Sequence, residues 1–466
     1  MKKQIVFWSI TSALAGFLFG FDTVVISGAE QTIQKLWGLS DSIHGLVMGS
    51  ALYGTVLGSL IGGLPTDRLG RKRTLLFIGA LYILSAIGCA FAGKVELFVA
   101  ARFIGGLGIG ISTVASPLYI SEIAPPKYRG RLAGMFQFNI VFGIVIAFAS
   151  NALFAKFGGE HAWRWMLGVA AIPSFIYAVM CMGLPESPRW LIGRKNDRAA
   201  GLAVLKLIEP EKTDEQLSAH ADEIMRANRT EKNAASGPGF FKLRIPILLA
   251  FLVAFFNQLS GINAILYFAP RIFEMTGLGE KAAMLQSVGI GITNLLFTFA
   301  GLWLIDRLGR RTLLFIGSFG YIFSLGLTAW AFFTQHFSIV PVCIFAFIAA
   351  HAIGQGTVIW VFIAEIFPNR HRAEGQALGS FTHWFFAALL TTVFPSMVKL
   401  TGANEHPQRG GFIFAFFCFM MLLQLLWVKW MVPETKGVPL EAMQRKLGVG
   451  FESKSQIGGD PAVRVH

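Results

Sequence analysis

Apolar runs recur twelve times along the chain. They cover roughly residues 5–28, 43–64, 74–93, 95–118, 134–156, 165–184, 246–271, 283–304, 312–333, 337–364, 375–398 and 410–432. Each supplies the roughly 20 apolar residues that a helix needs to cross the hydrocarbon core of a bilayer. An open strand would leave backbone groups unpaired in lipid, so all twelve are predicted as helices. The gaps are short, with one exception. Residues 185–245 are polar, charged and helix-prone, from Arg198 to Lys206 and from Asp214 to Arg226, and close on Ala234-Ala235-Ser236-Gly237-Pro238-Gly239. The pattern predicts an all-α membrane protein of two pseudo-symmetric six-helix bundles, 1–184 and 246–433. Between them lies a small helical insert, 185–245, and after them a polar tail, 434–466.

Composition agrees with that pattern. The hydrophobic share is 54% and the charged share only 14%, whereas a soluble domain carries about a quarter of its residues as charges. Mean hydropathy is +0.59. The first run follows Met1-Lys2-Lys3 and extends to about Ala29, too long for the apolar core of a signal peptide, and no small-residue cleavage site follows. Cys89, Cys181, Cys343 and Cys418 each stand alone in an apolar run with no metal-ligand spacing. No metal and no cofactor are expected.

The net charge of +14 would suggest nucleic acid in a soluble protein. Its distribution says otherwise. With the N-terminus, the even-numbered loops and the C-terminus on one side, that side holds roughly 30 of the 40 basic residues. Basic residues concentrate in the cytoplasm, which predicts cytoplasmic termini and a cytoplasmic insert. The charge records topology and not a nucleic-acid partner.

The chain also repeats itself. Asp67-Arg68-Leu69-Gly70-Arg71 returns as Asp306-Arg307-Leu308-Gly309-Arg310, 239 positions later. Glu122 with Arg129 returns as Glu365 with Arg372 at an offset of 243, and Pro185-Glu186-Ser187 as Pro433-Glu434-Thr435 at 248. Two related halves can rock about a cavity between them and open it to either side in turn. Asp67, Arg71, Glu122, Arg129, Asp306, Arg310, Glu365 and Arg372 fall at span ends on the basic side. They are expected either to mark topology or to form a latch that holds the halves together in one state.

Polar groups inside the spans narrow the chemistry, since each needs a cavity or a partner. They include Asp22, Arg102, Gln137, Asn257, Gln258, Asn263, Asn294, Trp360, His383 and Trp384. Asn and Gln offer donor and acceptor together, as a sugar hydroxyl requires, and aromatic faces suit the C–H face of a pyranose. Amides and aromatics without a cluster of charge point to a neutral polyol. Asp22 and Arg102 are expected to pair, because an isolated charge in lipid is far costlier than an ion pair.

The motifs together resemble the sugar porters of the major facilitator superfamily, including bacterial proton–sugar symporters of the xylose, arabinose and glucose type. They are Gly20-Phe21-Asp22-Thr23, the two Asp-Arg-Leu-Gly-Arg runs, Pro-Glu-Ser-Pro-Arg-Trp at 185–190, Gln-Leu-Ser-Gly-Ile-Asn at 258–263 and Pro-Glu-Thr-Lys-Gly at 433–437. The resemblance implies sugar contacts at Gln137, Gln258, Asn263, Asn294 and Trp360, with Phe19 and Tyr267 as aromatic lining. It implies a proton-coupling pair in Asp22 and Arg102. The chain departs from the family pattern at Asn257, where a glutamine is common, at His383, often a glutamine, at Ile144 in the Phe-Gly-Gln pattern, and at Thr357 after Gly356, where Gly-Pro is usual. These departures reshape the pocket around Asn257, His383 and Gly356.

The expected function is secondary active import of a pentose or hexose by proton symport through alternating access. The expected setting is the inner (plasma) membrane, with a monomeric chain whose partners are the sugar, the proton and lipid. A facilitative uniporter of a sugar or of inositol is the alternative, and a membrane sensor that binds sugar without moving it is a remote one. Enzyme chemistry is not expected, because no nucleophile–base pair or phosphate loop is in a plausible place. Gly105-Gly106-Leu107-Gly108-Ile109-Gly110 imitates a dinucleotide fingerprint, but it lies inside an apolar span with no preceding strand, where close helix packing accounts for it.

Overall fold

The computed structural model describes residues 3–125, 129–157, 159–233, 239–368, 371–438, 443, 446 and 447, without the side chains of 129–131, 133 and 227–233. Twelve helical segments among them are long and apolar enough to cross a membrane. Spans 1 to 6 are Lys3–Gly28, Asp41–Ile61, Arg71–Ala90, Val95–Ile123, Gly134–Phe157 and Gly159–Met182. Spans 7 to 12 are Arg244–Tyr267, Glu280–Leu308, Arg310–Phe333, Phe337–Ile366, Arg372–Thr401 and Pro407–Met431. No described residue forms a strand.

Within the first half, span 4 lies against spans 2 and 3, and span 1 against span 5. Span 2 meets span 11, and span 5 meets span 8, so these two pairs form the seam between the halves. Glycine permits the closest approach. A Cβ at Gly106 would stand 1.8 Å from the Ala51 carbonyl oxygen of span 2. That is the packing role expected of the Gly105–Gly110 run.

Two spans of the second half are broken within their length. Span 7 consists of Arg244–Leu259 and Ile262–Tyr267, parted at Gly261 with φ +87°. Span 10 consists of Val340–Ile353 and Gln355–Ile366, parted at Gly354. Such breaks inside a span are tolerated where the backbone lies within protein or beside a cavity.

The insert folds as helices Pro188–Gly193, Arg198–Ile208 and Asp214–Asn233. Side-chain caps start them: the Ser187 hydroxyl accepts from Trp190 N and the Asp197 carboxylate from Ala200 N. Thr213 and Gln216 cap each other reciprocally at the head of the third helix. Ile192, Leu205, Leu217, Ala221 and Ile224 make a small core of their own. Trp190 Nε1 donates to the Asp67 carbonyl at 2.7 Å and ties the insert to the first half.

Polar contacts across the seam gather at the end away from the insert. Arg271 pairs with Glu30, Gln31 Nε2 donates to Glu274 Oε2, and Lys399 stands 3.9 Å from Asp41. Among the described residues no ion pair joins the halves at the insert side. The molecule is therefore shut at the end opposite the insert.

Candidate functional site

Asp22 lies in the last turns of span 1, and Arg102 in the second turn of span 4. Arg102 Nη1 donates to Asp22 Oδ1 at 2.7 Å, and Nη2 to the Asp22 carbonyl at 3.3 Å. Arg102 is only 1% exposed, so its charge depends on this partner. Asp22 Oδ2 and Arg102 Nε remain buried without a partner. The short helix Ile262–Tyr267 of span 7 packs against span 1. A segment of the second half thus lies against the span that carries Asp22.

The break in span 7 brings two amides together. Asn263, just past the break, donates from Nδ2 to Gln258 Oε1 at 2.7 Å. Gln258 Nε2 donates to Asn257 Oδ1 at 2.9 Å and faces the His383 ring nitrogens at 3.1 and 3.2 Å. An amide N–H only donates, so the imidazole edge turned toward it accepts. Gln258 is 0% exposed and spends its hydrogen bonds within the protein. It holds Asn257, Asn263 and His383 in register. Aromatic rings continue this surface, Trp360 at 5.3 Å from His383, His383 at 4.7 Å from Trp384, and Trp384 at 5.3 Å from Phe19 of the other half.

Other expected contacts share no hydrogen bond with this cluster among the described residues. Gln137 is half-buried in span 5 with no hydrogen-bond partner among the described residues. Asn294 in span 8 accepts a long 3.5 Å hydrogen bond from Thr298. Gly356 packs on His351, where a Cβ would come within 3.2 Å of the ring, and His351 itself bonds the Tyr321 hydroxyl at 2.8 Å.

The repeated motifs depart from the expected latch in one respect: in this conformation their ion pairs close inside each half. Arg71 grips Glu122 through two hydrogen bonds of 2.9 Å, and Arg310 grips Glu365 at 3.0 and 2.8 Å. Asp67 pairs with Arg194 of the insert at 2.8 Å and lies 3.5 Å from Arg71, as Asp306 does from Arg310. Arg372 is exposed and borders a cavity of about 200 Å³ with Glu365 and Thr435. The side chain of Arg129 lies outside the described residues. The reason for the internal closure lies in Gly70 and Gly309, with φ +91° and +89°. Each turns the chain so that the next span begins beside its own Glu122 or Glu365.

Glu186 and Glu434 complete these clusters. Glu186 accepts from the backbone N–H of Arg71, Lys72 and Ser187, and Glu434 from those of Arg310, Arg311, Thr435 and Lys436. A carboxylate at a helix N-terminus satisfies orphan donors and meets the positive end of the dipole. The sequence revealed the recurrence of these two glutamates but not this task.

Residues 8–447 match the family described as sugar (and other) transporter. The chain belongs to this family. The sugar transporter is 35% identical over 450 residues to the probable metabolite transport protein CsbC of Bacillus subtilis, covering 95% of this chain and 94% of the relative. It is 33% identical to the arabinose-proton symporter of the same organism, covering 95% and 94%. Among solved structures it resembles the partially occluded inward-open conformation of the xylose transporter XylE from E. coli, with TM-score 0.81, 29% identity, and coverage of 94% of this chain and 100% of that one. The transporter therefore has the major facilitator fold. It is a multi-pass plasma membrane protein and not an enzyme.

Proposed function

We propose that the transporter imports a monosaccharide, a pentose or hexose, by proton symport through alternating access. The observation that carries this reading is the buried Asp22–Arg102 pair beside a surface of amides and aromatic rings contributed by both halves. The sugar is held by Asn257, Asn263, His383, Trp360 and Phe19, with Gln258 as their support and Gln137, Asn294, Tyr267 and Gly356 around them. The basic side, with the insert and both termini, faces the cytoplasm. The similarity to an arabinose-proton symporter supports the same reading.

Coupling follows from electrostatics. Arginine does not give up its proton in proteins, so protonating Asp22 leaves a buried cation without its counter-charge. Breaking a buried pair in this way costs about 3–5 kcal/mol. The equilibrium between conformations shifts by whatever part of that cost the other state relieves. The segment Ile262–Tyr267, packed against the span that carries Asp22, lets the second half sense the change.

The test is sugar-driven proton uptake in proteoliposomes, wild type against Asp22→Asn. The variant should retain counterflow exchange and lose accumulation against a gradient. Accumulation by the variant would overturn the assignment of Asp22.

A further inference from the structure

Glu30 and Arg271 occupy corresponding places in the two halves. Each follows the outer end of the first span of its half, and they stand 241 positions apart, within the offsets of the internal repeat. The pseudo-symmetry that relates the halves brings such positions face to face, and here they carry opposite charges. Arg271 Nε and Nη2 donate to the two oxygens of Glu30 at 2.9 and 2.8 Å, and Nη2 also donates to Gln34. Glu30 is 0% exposed.

Behind Glu30 lies a second potential cation. His44 of span 2, also 0% exposed, has Nε2 at 2.8 Å from Glu30 Oε2. A carboxylate only accepts, so Nε2 carries the hydrogen. Its Nδ1 is buried and has no partner. The ring packs edge-on against Phe268, which in turn stacks on Phe394. Glu30 and His44 thus belong to one half, while Arg271 and Phe268 belong to the other.

We propose that Glu30, His44 and Arg271 form a charge-exchange clasp that shuts the mouth opposite the insert and makes its opening take up a proton from that side. In the shut state Arg271 neutralises Glu30. When the halves part, Arg271 leaves with its own half and Glu30 retains His44 alone. Glu30 is then a carboxylate whose counter-charge has left, and an opposite charge close by favours the charged form of an imidazole. Imidazole titrates near neutrality, and a proton from the newly admitted water, bound at Nδ1, restores the pair. Opening binds one proton at His44 and closing releases it. By linkage, acid on that side favours the open mouth.

Glu274, one turn beyond Arg271, is held by Gln31, and burial pushes its carboxyl above the usual range. Glu280 and Lys35 border a cavity of about 110 Å³ with Glu274 and Gln31. Asp41 accepts from Gln34 and faces Lys399. None of these groups is hydrogen-bonded to the His44 ring in the described structure.

The test is conformational, so it does not depend on Asp22 as the coupling site. Spin labels at Leu36→Cys and Leu400→Cys, both exposed at the outer end, report the separation of the halves. They are placed in an Asp22→Asn chain whose four native cysteines are replaced, reconstituted in liposomes and measured by pulsed dipolar spectroscopy. Lowering the pH from about 8 to about 5.5, across the imidazole range, should raise the wide-separation population at least threefold. His44→Gln should abolish that response. Arg271→Gln should raise the wide population at both pH values, and Glu274→Gln should leave the response intact. Retention of thermal stability in each variant separates gating from misfolding. A full response in His44→Gln, its absence in the parent chain, or its loss in Glu274→Gln alone would overturn the proposal.

Discussion

Replacing Gln258 by Leu removes the centre of the amide cluster while keeping most of its volume. Three neighbours lose a partner: Asn263 Nδ2, Asn257 Oδ1 and the accepting edge of His383. Each hydrogen bond contributes about 0.5–1.5 kcal/mol net, so the whole set is worth about 2–4 kcal/mol. That sum divides between fold stability and substrate affinity. If half falls on affinity, the loss of about 1–2 kcal/mol corresponds to a 5- to 30-fold rise in Kd. The expected result is a Kd for the transported sugar raised at least fivefold, with a lower melting temperature. Isothermal titration of purified protein with a panel of pentoses and hexoses gives the affinities, and thermal unfolding gives the other share. A Kd within threefold of wild type, at unchanged thermal stability, would refute the view that Gln258 organises the site.

Two further predictions concern the repeated clusters. Arg71→Gln leaves Glu122, whose side chain is 6% exposed, without its cation, and should destabilise the protein by about 3–5 kcal/mol. Arg310→Gln should cost less because Glu365 is 31% exposed; equal shifts in melting temperature would contradict this. For Glu434, burial pushes the carboxyl up, but four backbone N–H donors outweigh it and hold it below the usual range. A carboxyl depressed in the folded state stabilises the fold above its ordinary pKa and loses that contribution as pH falls through the lower, folded value. Melting temperature measured from about pH 6 down to about pH 3 should therefore fall less steeply for Glu434→Gln than for wild type.

The spans and the repeat were legible because their signals are local: length of apolar run, and motifs that return at one offset. Candidate polar residues within apolar runs were equally visible, since each stands out against its neighbours. What escaped was long-range. Nothing in Gln258-Leu259-Ser260-Gly261-Ile262-Asn263 announces that the helix parts at Gly261 and folds one amide onto the other. The motif charges offered several pairings, and only the turns at Gly70 and Gly309 decided that they close within their halves. Glu30, His44 and Arg271 lie at the edges of apolar runs, where charges are ordinary. The signal that would have found the Glu30–Arg271 pair was present: two opposite charges separated by the period of the repeat.

The carboxylates of Glu186 and Glu434 fasten the segment that leaves the last span of each bundle to the start of its third span. Each bundle is thereby buckled with its own strap. Under the proposed alternating access, the working stroke is then confined to the joint between the two bundles. Substitutions along that joint should alter turnover while leaving the melting curve in place, and those at either buckle should do the reverse.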